Sequence, residues 1–168
     1  MPPIPTHRAY LASPLGFAAS TEAFMAELQA ALGAIVAVDN PWDFGGPELG
    51  AEFAHAHALG GHDERRDALH AINLRIATKN EEALRRCDLV VAVLDGVDVD
   101  SGTASEIGFA AGLGKPSFGL RTDSRLAGDN LGSRVNLQVE YWIEHGGGQI
   151  VTEVADLVAT VRAWLAAR

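Results

Sequence analysis

The chain has 168 residues, 48% of them hydrophobic, and a formal net charge of -9 from 22 Asp and Glu against 13 Lys and Arg. A length of this order buries roughly 68–70% of the unfolded surface, so a single domain spanning 1–168 is expected, and the lone cysteine, Cys87, excludes an intrachain disulfide. The acid excess lacks the basic footprint of a nucleic-acid binder, no run approaches the roughly 18 apolar residues of a membrane span, and no export signal opens the chain, so a cytoplasmic location is expected.

Residues 8–13, RAYLAS, read as a first strand that runs into a loop at Pro14. Helical spacing begins at Ser20 or Thr21, with Phe24, Leu28 and Leu32 on one face, and Gly33 closes it. Residues 34–38 predict a second strand broken by Asp39-Asn40-Pro41, and 42–62 predict a long loop with at most one short helix. A long helix is expected over Asp63 to Arg86. The run DLVVAVLD at 88–95 is continuously apolar and β-branched, which indicates a strand buried on both faces and therefore a parallel sheet. A helix over Thr103 to Leu113, a strand at 117–121, a loop at 122–134 and a short helix in NLQVEYWIEH follow. The chain closes with a strand near Gln149–Val151 and a helix capped by Thr152. This alternation predicts an α/β fold, a doubly wound five-stranded parallel sheet of flavodoxin-like order 2-1-3-4-5 with helices on both faces.

Ligands of such sheets bind beyond the carboxyl ends of the strands, where the strand order reverses. The ends of the predicted strands bring Tyr10, Asp39, Asp95, Asp98, Asp100, Arg121 and Asp123 to one rim. So many carboxylates would repel a phosphate and suit a neutral, hydroxyl-rich or weakly basic ligand. Glu106 stands about one turn into the predicted helix, where the helix dipole favours its ionised form and Ala104, Ile107 and Gly108 leave it poorly hydrated. Such a carboxylate can attack an acetal-like carbon, or can serve only the electrostatics of the helix terminus. Asp100 can accept a bond from a substrate hydroxyl, or can be a turn aspartate that bonds its own backbone.

The segments YLASPLGF at 10–17, NEEALRRCDLVVAVLDGVDVDSGTASEIGFAAGLGKP at 80–116 and NLQ at 136–138 together resemble the nucleoside 2-deoxyribosyltransferases, from the first strand to about Trp142. The spacing D-x-G-x-x-x-E-x-G-x-A before the Lys-Pro stop is the specific part. The resemblance implies transfer of 2-deoxyribose between nucleobases by a retaining double displacement, with no cofactor. It makes Glu106 the nucleophile, Tyr10 the group that orients it, and Asp100 the partner of the sugar 5'-hydroxyl. Asn136 would reach the same hydroxyl from a neighbouring subunit, so the partners implied are a nucleoside, a free base and further copies of the chain. Asn80, Gly102, Ala12, Phe17 and Asp43 complete the substrate-binding set. The sequence departs from the family at Asn80, where many members carry an aspartate that protonates the leaving base. An amide cannot do so, which leaves water, Asp43 or Asp63 as proton sources, and Asn80 as a residue that fixes the base.

His55, His57 and His62 invite a metal reading, but their spacing matches no strong zinc signature, and none is expected. GLG at 112–114 ends a helix rather than joining strand to helix and is no dinucleotide fingerprint. Trp42 can stack on a base or pack in the core. The rival readings are a 2'-deoxynucleoside 5'-monophosphate N-glycosidase, with a phosphate pocket of Ser13, Ser20, Arg121, Ser124 and Arg125, and a non-catalytic nucleotide-binding domain.

Overall fold

Side chains alternate across a strand, and the two apolar sets of β1 (Arg8–Ala12) and β3 (Leu89–Val93) divide cleanly in a computed structural model that describes residues 6–168. Tyr10, Ala12, Val90 and Ala92 face one core; Ala9, Leu11, Leu89, Val91 and Val93 face another. The sheet is five-stranded and parallel throughout, in the order β2-β1-β3-β4-β5, with β2 at Ala37–Asp39, β4 at Ser117–Leu120 and β5 at Ile150–Val151. This is the doubly wound order expected from the sequence.

Helices cover both faces because each strand of a parallel sheet needs a crossover. The first core is closed by α3 (His62–Arg86), α4 (Ser101–Gly112) and α5 (Leu137–His145), through Leu84, Ile107, Ala110, Val139 and Ile143. The second is closed by α1 (Glu22–Gly33) and α6 (Val154–Ala166), through Met25, Leu28, Leu32, Leu157 and Val161. Every residue of β3 is buried, and each fully buried Val or Leu contributes about 1.5–3 kcal/mol, so this strand anchors both layers.

Several boundaries differ from the sequence reading. The second strand starts at Ala37 rather than residue 34, because the amides of Ala34, Ile35 and Val36 turn back to the carbonyls of Ala30 and Leu32 and extend the end of α1. The segment read as a long loop holds a one-turn 3-10 helix at Pro41–Asp43 and a full helix, α2 (Gly46–Ala58), which Pro47 starts at its first turn. The last helix is preceded by Glu153, with no side-chain cap, and not by Thr152. The export reading rests in part on residues 1–5, which lie outside the described residues. Among the described residues no helix is long and apolar enough to cross a membrane.

Candidate active site

Tyr10 points from β1 into the core beneath α4, and its buried hydroxyl donates to Glu106 Oε1 at 2.5 Å. Glu106 lies in the second turn of α4, because that helix begins at Ser101, two residues before the predicted start. The dipole falls off within the first turn, so burial governs the carboxyl instead. Burial, opposed by the Tyr10 bond and helped by the charge of Asp100, pushes the Glu106 pKa up to about 7. Burial and the neighbouring carboxylate likewise push the Tyr10 phenol up, so it stays protonated and is held as a donor.

Asp100 is the N-cap of α4, and its Oδ2 accepts from the Thr103 amide at 3.0 Å. The turn role foreseen for it is therefore present, and the same side chain also lines the cavity that contains Glu106. Gly102 follows at the mouth of the helix; a Cβ there would stand 3.0 Å from Asp100 Oδ2, a tight approach that glycine relieves.

The opposite wall comes from two loops. Asn40 caps the 3-10 turn through the Trp42 amide at 3.2 Å and donates to Gln29 Oε1 at 3.1 Å. Trp42 Nε1 then donates to the Ser13 carbonyl at 3.1 Å, and its ring meets Phe17 edge to face with centroids 4.5 Å apart. Trp42 thus borders the cavity rather than joining a core cluster. Gly16 makes this possible, since a Cβ on it would fall 2.1 Å from Trp42 Cδ2.

The enclosed space is about 230 Å³, lined by Ser13, Phe17, Pro41, Trp42, Ile76, Asn80, Asp100, Gly102, Thr103 and Glu106. A more open groove of about 470 Å³ between α3 and α4 shares Asn80, Gly102 and Glu106 with it. Asn80 projects from α3 into the cavity, and its Oδ1 is the buried side-chain polar atom left without a hydrogen-bond partner among the described residues. Ile76 lines the cavity one helical turn earlier; its spacing of four from Asn80 was a legible signal that sequence reasoning passed over.

Other expected residues lie elsewhere. Ala12 is fully buried at the end of β1 and supports the floor without lining the cavity. Asp43 is turned away, accepting from Gln29 Nε2 at 2.9 Å. Asp63 pairs with Arg66 at the start of α3, and at 1.5 Å rise per residue it stands about 25 Å along the helix from Asn80, so it is no proton source for this site. Asn136 caps α5 through the Gln138 amide at 3.0 Å and lines neither opening beside Glu106.

Most of the rim carboxylates already have partners. Asp39 is clamped by Arg8 and Arg86; burial alone would raise its pKa, but these cations hold it below the ordinary carboxylate range. Asp95 accepts from the amides of Thr122 and Asp123 and from the Thr122 hydroxyl. Arg125 holds the Asp123 carboxyl well below its usual range. The buried Arg121 donates to the carbonyls of Leu94, Gly96 and Arg125, and lines with Ser124 and Arg125 a separate cleft. Of the phosphate-binding set considered for a monophosphate substrate, Ser13 lines the Glu106 cavity, whereas Arg121, Ser124 and Arg125 lie in that separate cleft. His57 stacks on Phe53, His62 sits against Asp63, and no group of His, Cys, Asp or Glu among the described residues is arranged to hold a metal.

The model of the family described as nucleoside 2-deoxyribosyltransferase matches residues 9–138. The chain belongs to the nucleoside 2-deoxyribosyltransferase family. Its fold is that of a conserved protein from Enterococcus faecalis V583, at 24% identity and a TM-score of 0.64 over 94% of this chain and 98% of that one. The 2-desoxiribosyltransferase from Leishmania mexicana aligns at 24% identity and a TM-score of 0.60 over 91% and 95% of the two chains. The CMP N-glycosidase BcmB of Clostridium botulinum aligns at 18% identity and a TM-score of 0.50 over 92% and 97%. At these identities the likeness is one of fold. An uncharacterized protein of Schizosaccharomyces pombe, C191.05c, is 40% identical over 58 residues, which are 32% of this chain and 28% of that protein. Family and neighbours together comprise enzymes that transfer or hydrolyse glycosyl groups of nucleosides.

Proposed function

We propose that the chain transfers 2-deoxyribose from one nucleobase to another through a covalent deoxyribosyl ester on Glu106. The observation that carries this reading is the Tyr10–Glu106 bond inside a cavity shared with Asp100: a carboxylate held by one donor in a poorly hydrated site. In the first step a Glu106 carboxylate oxygen attacks C1' from the face opposite the base. The C1'–N bond breaks and its electron pair goes to the base nitrogen, which takes a proton from solvent because the Asn80 amide has none to give. In the second step the nitrogen of an incoming base attacks C1', loses its proton to water and frees Glu106. Two inversions give net retention. Water in place of the second base would give hydrolysis.

Asp100 suits the sugar 5'-hydroxyl, since its Oδ1 is not used in capping, and the edge-to-face pair of Trp42 and Phe17 offers an apolar wall for a base. The dispersal of Arg121, Ser124 and Arg125 to another cleft favours a nucleoside over its 5'-monophosphate. Asn136 would complete the site from a second copy; Leu137 and Tyr141 beside it are 53% and 48% exposed, an apolar face suited to that contact.

The test is incubation with deoxyadenosine and a free pyrimidine base. A new deoxynucleoside supports transfer, free adenine with deoxyribose indicates hydrolysis, and no conversion indicates a binding domain. Glu106→Ala should abolish turnover with the fold intact; more than trace activity would overturn the nucleophile assignment.

A further inference from the structure

Three side chains around the turn between β2 and α2 form a chain of hydrogen bonds that runs in one direction. Gln29, on α1, donates from Nε2 to Asp43 Oδ2 at 2.9 Å and accepts at Oε1 from Asn40 Nδ2 at 3.1 Å. Asn40 in turn accepts at Oδ1 from the Trp42 amide at 3.2 Å. An ionised carboxylate only accepts, so Asp43 obliges Gln29 to present its amide nitrogen. The Gln29 oxygen then falls to Asn40, which must present its own nitrogen and keep its oxygen for Trp42. Asn40 is 6% exposed, so little water stands ready to replace Gln29 as its partner.

The Gln29 carboxamide thus spans the 3-10 turn Pro41–Asp43, holding the residue before it and the residue that ends it. Trp42 lies between these anchors, its indole tied to the Ser13 carbonyl. Pro41 and Trp42 line the Glu106 cavity, whereas Gln29, Asn40 and Asp43 stand behind that wall. We infer that Gln29 is a positioning residue for substrate: from outside the cavity, and through Asn40, it holds the Trp42 wall against which a deoxynucleoside packs. Asp43 is the fixed end of the same relay and not an acid of the reaction. This rests on the proposed function only in taking the ligand to be a deoxynucleoside. A wall of this kind binds substrate and transition state alike, so loosening it raises KM and leaves kcat.

The experiment reverses the last link of the relay. Gln29→Glu keeps an acceptor for Asn40 but sets a carboxylate against Asp43. Adding Asp43→Asn restores every bond, because the new amide donates to the new carboxylate and Asn40 keeps its orientation. Affinity for deoxyadenosine is titrated calorimetrically in a Glu106→Ala background, which does not consume it, and kcat and KM with a free pyrimidine base are measured with Glu106 intact. Gln29→Glu should weaken binding and raise KM by about fivefold or more with kcat held within about twofold, and the double variant should bring both back to within about twofold of the unaltered protein. A merely structural role would lower the thermal midpoint and the active fraction and leave the KM of the folded enzyme where it was. Unchanged binding in Gln29→Glu, a loss confined to kcat, a double variant that stays weak, or no binding of deoxyadenosine by any of them would overturn the inference. Transfer by the unaltered protein with undiminished binding in Gln29→Glu defeats this inference alone, and binding that is lost and restored without any turnover defeats the transfer reading alone.

Discussion

Tyr10 Oη donates to Glu106 Oε1 at 2.5 Å, joining the first strand to the fourth helix across 96 residues of sequence. The phenol is fully buried, so its donor has nowhere else to turn, and the carboxylate keeps a second oxygen for chemistry. Burial nonetheless dominates the bond, because the Glu106 pKa still rises to about 7.

That rise makes the ionised site a source of instability. A carboxyl at 4.5 when unfolded and about 7 when folded favours the folded state below pH 4.5, and the advantage is lost as pH climbs toward 7. The full change is about 3 kcal/mol. Glu106→Gln, neutral at every pH, should therefore be more stable than the unaltered protein by up to about 3 kcal/mol at pH 8 and equal to it near pH 4. Urea denaturation at both pH values checks this, and an equal stability at pH 8 would contradict the strained carboxylate.

The same group sets the acid limb of activity. If ionised Glu106 is the nucleophile, kcat/KM should fall about tenfold per pH unit below its pKa of about 7 and level off above it. The Tyr10 bond holds that pKa down, so Tyr10→Phe should shift the limb to higher pH as well as slowing the reaction. A limb that stays in place would show that Tyr10 acts on something other than the charge of Glu106.

Gly16 tests the aromatic wall. An alanine there would drive into the Trp42 ring and break its bond to the Ser13 carbonyl. Gly16→Ala should raise KM for nucleosides with a smaller effect on kcat, and cost about 1–3 kcal/mol of stability through overpacking. Equal losses in kcat and kcat/KM would instead tie the wall to the chemical step.

Lys115 tests the scaffold. Its ammonium donates to the carbonyls of Leu84, Arg85 and Cys87 at 2.8, 2.6 and 2.5 Å, which places a cation at the negative end of α3. Lys115→Met keeps the stem and removes the donors, and should destabilise the fold by about 1–3 kcal/mol in denaturant. An unchanged midpoint would mean that solvent serves those carbonyls equally well.

Assembly is tested by Asn136→Ala, which should reduce activity without altering the oligomer's mass. Light scattering and turnover measured together decide it, and a fully active monomer of the unaltered protein would end the shared-site reading.

The parallel sheet was legible because Leu89 to Val93 is apolar without alternation, a pattern only two-sided burial explains. The helix at Gly46–Ala58 was not, because two glycines, a proline and scattered histidines give it no apolar stripe, and Ala56 is its one buried residue. It forms by packing beside α3, which no local pattern announces. Asp39 misled for a related reason: its cations lie 31 and 47 residues away, so a structural ion pair looked like a ligand-facing carboxylate. At the site, local reading reached Glu106 and Asp100 but left each with two roles, and spacing gave no hint that Tyr10 bonds Glu106. The family resemblance supplied the expectation of that pairing. The orphaned oxygen of Asn80 exists only once α3 is folded against its neighbours.

The bond from the Trp42 indole to the Ser13 carbonyl has a consequence for how such a protein could change. The wall it secures belongs to the segments on either side of α1, while Tyr10 and Glu106 sit on β1 and α4. Reshaping the wall by altering the loops that follow β1 and β2 would leave the reactive carboxylate and its donor in place. Under the proposed function, the apolar wall offered to a base and the reactive carboxylate with its donor are thus carried by largely separate stretches of chain, so the wall can change without rebuilding the chemistry.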